Sequence, residues 1–141
     1  MRCTKTPSRT GRVRTASMTD IGSDKLIALP MSVMTRNNPR HRDVWDLGWI
    51  IERTGDAHGL AAEAARKAAS RGIREQYLNA LGQTMEQVDE VIESAGFQDT
   101  LKRFLPERLA ANTVGARWHR QRLTQTVQSL CSKALRGLES K

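Results

Sequence analysis

The chain has 141 residues, which suits one domain with little room for a second. Apolar residues make up 38% and aromatics only 4%, so any core must be mostly aliphatic and alanine, with part of the chain left outside it. No run approaches the roughly 18 apolar residues of a membrane span, and two cysteines, Cys3 and Cys131, suggest no disulfide framework. The expectation is therefore a protein of a reducing, cytoplasmic compartment with no membrane partner.

The net charge of +8 is unevenly spread. Residues 1–42 hold nine Lys/Arg against Asp20 and Asp24, a balance of +7. Residues 43–99 hold five against eleven acids, a balance of −6, and residues 100–141 hold nine against Glu107 and Glu139, again +7. Such basic ends attract phosphate without selecting sequence. Equally, they can neutralise the acidic middle, within one chain or between copies.

Residues 1–24 are rich in Arg, Ser and Thr and show no apolar periodicity, which predicts a disordered basic arm. Arg2, Lys5, Arg9, Arg12 and Arg14 are its candidate phosphate contacts. The absence of acids before Asp20 also resembles an organelle transit peptide, although only Val13, Ala16 and Met18 could build its amphipathic helix. A third reading starts translation at Met18, Met31 or Met34. Residues 25–42 read as an extended or irregular lead-in, because Pro30 interrupts LIALPMSVM and NNPRHRD is turn-rich.

Residues 43–141 read as a single helical domain, a compact all-α bundle of about five or six short helices ending in a long amphipathic one. Asp43 is a plausible N-cap and Gly55 a plausible C-terminal stop for the first helix. That helix carries Val44, Leu47, Ile50 and Ile51 on one arc and Trp45 and Trp49 on another. The expected reading is a central core helix, with alanines Ala61, Ala64, Ala65 and Ala68 of the next helix packed against the indoles. The second reading is a face covered by a partner, since Trp favours binding hot spots. A helix over 59–72 stops at Gly72. Two more follow, over 73–82 and 84–95, with Thr84 opening the second and Gly96 ending it. Their spacing suggests a helix-turn-helix, but the reading helix would carry Glu86, Asp89, Glu90 and Glu93, which phosphate repels. An αα-hairpin in the core is expected instead. Leu101, Phe104 and Leu105 mark a short helix that Pro106 breaks or restarts. The last helix, about 114–138, gathers Leu123, Val127, Leu130, Cys131, Ala134 and Leu138 into one seam. Trp118, Arg122, Lys133 and Arg136 form a basic stripe opposite.

His41, His58 and His119 have no ligand spacing, and the cysteines complete no zinc set. No Gly-rich phosphate loop or nucleophile elbow is present. Hence no catalytic residue, no metal ligand and no cofactor is expected, and the chain reads as a non-enzyme. The favoured function is a small helical regulatory protein that binds nucleic-acid backbone through the arm and the stripe. The alternative is an adaptor or inhibitor that pairs with itself or a protein partner through Trp45, Trp49, Leu123, Val127, Leu130 and Leu138.

Overall fold

A computed structural model describes the backbone of residues 7–35 and 40–139, with side chains from Met18 onward. The described residues form seven helices and no strand: α1 (Pro7–Thr35), α2 (His41–Thr54), α3 (Ala57–Ser70), α4 (Arg74–Glu93), α5 (Ala95–Phe104), α6 (Glu107–Asn112) and α7 (Arg117–Glu139). The expected class forms, with a long C-terminal amphipathic helix. α7 packs on α3 and α4, while α1 packs on α2, α3 and α4. Their shared core is aliphatic, with Leu26, Leu29, Leu47, Leu60, Leu81, Ile92, Val127 and Leu130 all buried.

α1 departs from the expectation. The stretch expected to be an irregular lead-in is helical as far as Thr35. Helix also covers residues 18–24, where the arm was expected, and Gly22 and Ser23 are buried there. Pro30 lies inside this helix and does not end it. A proline has no N–H for the carbonyl four residues back, here that of Leu26. The Tyr77 hydroxyl on α4 supplies the missing donor, 2.8 Å from the Leu26 carbonyl oxygen in a buried position. Burial pushes the Tyr77 phenol well above its ordinary range, so it keeps the proton it donates.

Ion pairs tie α1 to its neighbours. Lys67 Nζ of α3 lies 2.6 Å from Asp20 and 3.2 Å from Asp24. Lys25 Nζ lies 3.1 Å from both Asp43 and Asp46 of α2. Arg120 of α7 bonds Glu93 at 3.0 Å. Part of the basic charge thus neutralises acids within the chain.

Local chemistry sets most helix ends. Gly55 stops α2 in the left-handed region at φ 63°, and its N–H bonds the Ile51 carbonyl at 2.8 Å. α2 begins three residues earlier than expected, with Arg40 at the cap position, so Asp43 sits in its first turn. Asp56 caps α3 by accepting from the Gly59 N–H at 2.9 Å. Ser94 caps α5, accepting from the Phe97 N–H at 3.2 Å, so Gly96 lies inside that helix rather than ending the previous one.

The predicted break at Leu81-Gly82 does not occur. α4 runs unbroken through it, which removes both the helix-turn-helix and the hairpin. Thr84 is buried and back-bonds the Ala80 carbonyl at 2.8 Å instead of capping a new helix. Glycine in a helix costs about 1 kcal/mol. Burial of Tyr77, Leu81, Val88 and Ile92 along one continuous stripe contributes roughly 1.5–3 kcal/mol per side chain and outweighs that cost.

Nor is α2 the central helix. Val44, Leu47 and Ile50 are buried, but Trp45 is only half-buried and Trp49 remains 45% exposed. The alanines of α3 meet α1 and α7 rather than the indoles; a Cβ on Gly137 of α7 would come 3.1 Å from that of Ala65.

Candidate functional site

One apolar face of α2 thus stays partly open, and the first half of α7 runs beside it. Together they enclose a cleft of about 230 Å³. Trp45, Trp49 and Glu52 project from α2 at helical spacing, and His119, Arg122 and Thr126 do so from α7. Gly48 and Leu123 form the contact between the two helices. A Cβ on Gly48 would stand 2.7 Å from Leu123 Cδ2, so glycine there lets the helices approach.

The walls are aromatic. The Trp45 and His119 rings lie 5.7 Å apart, tilted by 33°. Trp118 meets the other side of His119 edge-on at 5.4 Å. The Arg53 guanidinium stands 4.6 Å over the Trp49 ring. His119 Nδ1 is buried and has no hydrogen-bond partner among the described residues. Burial lowers the His119 pKa below its ordinary 6.5; the Glu52 charge opposes that and the Arg122 charge adds to it. The imidazole is therefore neutral at pH 7. A flat heteroaromatic ring fits such walls, with Arg122 placed for an anionic group and Glu52 for an N–H donor.

A larger hollow of about 740 Å³ between α4 and α7 is lined by Asp89, Glu93, Arg117 and Arg120. Two of these four charges are committed, since Arg120 bonds Glu93 and also the Val114 carbonyl. The smaller cleft is the better-formed site.

The other expected site residues are dispersed. Trp118 is 59% exposed beside the cleft. Lys133 and Arg136 lie further along α7, tied to the hydroxyls of Ser129 and Ser132. Arg9, Arg12 and Arg14 fall on the first turns of α1, where only the backbone is described, and Arg2 and Lys5 lie outside the described residues. Leu123, Val127, Leu130 and Leu138 are buried inside this chain, where α7 packs on α3 and α4. They are not a surface for a second copy, which corrects the interface expectation. Of that set Trp45 and Trp49, with an edge of Leu123, line the cleft. His119, Glu52, Gly48 and Thr126 were missed; the Trp45–Trp49 stripe was visible, but its counterpart on α7 is a tertiary relationship.

No group of three or more His, Cys, Asp or Glu able to hold a metal ion forms among the described residues. No helix among them is long and apolar enough to cross a membrane. Burial pushes the Cys131 thiol up to about 12, which makes it a poor nucleophile at neutral pH.

No curated protein and no solved structure matches the chain. A family model described as nucleotidyl transferase AbiEii toxin, type IV toxin–antitoxin system, matches residues 4–126. That stretch contains every residue lining the α2–α7 cleft. The match overturns two expectations, that of a nucleic-acid-binding regulator or adaptor and that of a non-enzyme. The chain belongs to the AbiEii nucleotidyl transferase toxin family of type IV toxin–antitoxin systems.

Proposed function

We propose that the chain serves nucleotidyl transfer as the toxin of a toxin–antitoxin pair, and that the α2–α7 cleft takes the base of a nucleoside triphosphate. The aromatic cleft carries this reading. Its volume of about 230 Å³ lies below the roughly 300–1,000 Å³ of pockets that engulf a whole ligand. It suits a base held against Trp45 and His119, with sugar and phosphates outside. Arg122 then meets a phosphate oxygen, and Glu52 accepts from an exocyclic amine. The neutral His119 offers a ring nitrogen to the base edge. Because nucleoside triphosphates are held inside cells, the reading carries a cytoplasmic location, and its system implies an antitoxin as the second component.

Phosphoryl and nucleotidyl transfer commonly use divalent cations held by carboxylates. The residues present do not fit such a set, because no suitable acid cluster forms among the described residues and Glu52 is the one acid that lines the cleft. The roles of Trp45, His119, Arg122 and Glu52 are therefore confined to holding the nucleotide.

Tryptophan fluorescence titration with ATP, GTP, CTP and UTP tests the reading. Saturable quenching by at least one of them is expected, weakened about tenfold or more in Arg122→Ala and in Trp45→Leu. A flat response to all four, or equal affinity in both variants, would sink it.

A further inference from the structure

We infer that the polyphosphate of the nucleotide runs along α7 through a second hollow that adjoins the cleft, where Arg122, Thr126, Ser129 and Lys133 bind its oxygens in turn. The inference rests on the nucleotide reading of the cleft and adds to it a direction, a subsite and an end contact, Lys133. The second hollow is an open trough of about 290 Å³, lined by Ile51, Ala57, Arg122, Gln125, Thr126, Ser129 and Leu130. Ile51, Arg122 and Thr126 line the cleft as well, so the two spaces share a border. α2 and α7 run side by side in the same direction here: Trp45 stands beside His119, and Gly48 beside Leu123. A ligand whose base lies against Trp45 and His119 therefore has a lined path away from the base, towards Ser129.

That path presents donors. Arg122 is exposed and pairs with no described acid. Thr126 is the telling residue. Within α2 and α4, Thr54 and Thr84 donate to the carbonyl four residues back, at 3.0 and 2.8 Å. The Thr126 hydroxyl makes no such bond and has no partner among the described residues. Ser129 Oγ accepts from Lys133 Nζ at 2.9 Å, which leaves the serine proton and two ammonium protons to donate. Among the described residues no acid lines the trough, and Asp56, next to Ala57 in sequence, is engaged by the Gly59 N–H. Glu52 lines the cleft but not the trough, so the carboxylate stays at the base end. Arg122, Thr126, Ser129 and Lys133 follow one another at spacings of four, three and four residues, which sets them on one face of α7. Arg122 and Ser129 are about 10 Å apart along the axis, a length that a ribose and its phosphates fill. Charge-assisted bonds at both ends of such a row suit a polyanion.

The test uses the whole chain in EDTA, titrated with the nucleoside and the mono-, di- and triphosphate of the base that quenches tryptophan best. Affinity is expected to rise with each phosphate, by about tenfold or more from nucleoside to triphosphate. Lys133→Ala and Ser129→Ala are each expected to reduce that gain about threefold or more, with nucleoside affinity held within about twofold. Lys102→Ala on α5, away from the trough, is expected to leave the gain intact and so separates a local contact from the attraction of the whole basic chain. Equal affinity for nucleoside and triphosphate would overturn the inference and leave the cleft reading standing. So would a gain that either α7 variant leaves intact, or one that Lys102→Ala lowers as much. Quenching by none of the four compounds would instead overturn the cleft reading, and the inference with it.

Discussion

The indole of Trp45 on α2 and the imidazole of His119 on α7 form one wall, 5.7 Å between ring centres. This contact couples the cleft to pH. Burial lowers the pKa of His119 and also of His41, whose ring packs edge-on against Phe97. For a histidine with a lowered folded pKa, the unfolded chain binds the proton more readily. Its contribution is full above the ordinary value of 6.5 and is lost as pH falls. Urea midpoints should therefore decline between about pH 7 and pH 5. His119→Gln and His41→Gln should each flatten that slope; a midpoint that rises on acidification contradicts the assignment. Asp24 does not act in this window. Burial opposes its ionisation, but bonds from Arg71 and Lys67 prevail and keep its pKa below 3.8.

Two glycines should respond in opposite directions to alanine. At Gly82, inside α4, a Cβ would meet nothing within 4 Å, so Gly82→Ala should stabilise by about 0.5–1 kcal/mol. At Gly55 the space is also open, but φ is 63°, so Gly55→Ala should destabilise by about 1 kcal/mol. Thermal melts of both variants check the pair, and equal signs would refute the conformational argument.

Lys67 is the most enclosed charge of the α1–α3 contact, its side chain 10% exposed against 65% and 49% for Asp20 and Asp24. Removing the lysine returns both carboxylates to water, so Lys67→Met should cost only about 1–2 kcal/mol. Removing both acids leaves a buried ammonium with the Asp20 carbonyl as its remaining partner of these three. Asp20→Asn/Asp24→Asn should cost more, about 2–3 kcal/mol. Chemical denaturation at pH 7 decides the order, and a costlier Lys67→Met would reverse the account.

Features fixed by adjacent residues could be read in advance. The stop at Gly55, the stop at Gly72 and the restart at Pro106 depend on local backbone geometry, and all three appear. The unbroken α4 was hidden because burial of Leu81 and Val88 overrides a local glycine signal. The cleft was half visible: the indole stripe of α2 is periodic, but its meeting with His119 and Arg122 depends on how α7 lies across the bundle. The enzymatic family was not readable because no phosphate loop or acid cluster stands in the sequence. Its acids are drawn into pairs such as Lys25 with Asp43 and Asp46, or turned to solvent along α4.

The Tyr77 hydroxyl bonded to the carbonyl that Pro30 leaves without a donor makes the two positions epistatic. In the present background Tyr77→Phe strands a buried carbonyl and should cost about 1–3 kcal/mol. Once Pro30 is alanine, the helix supplies its own N–H and the hydroxyl becomes dispensable, so the same change should cost markedly less. A double-mutant cycle should report a coupling of about 1 kcal/mol or more between residues far apart in the chain. Either substitution therefore alters what the other position tolerates, and a proline that reads as a helix breaker is neutral only in the company of a distant tyrosine.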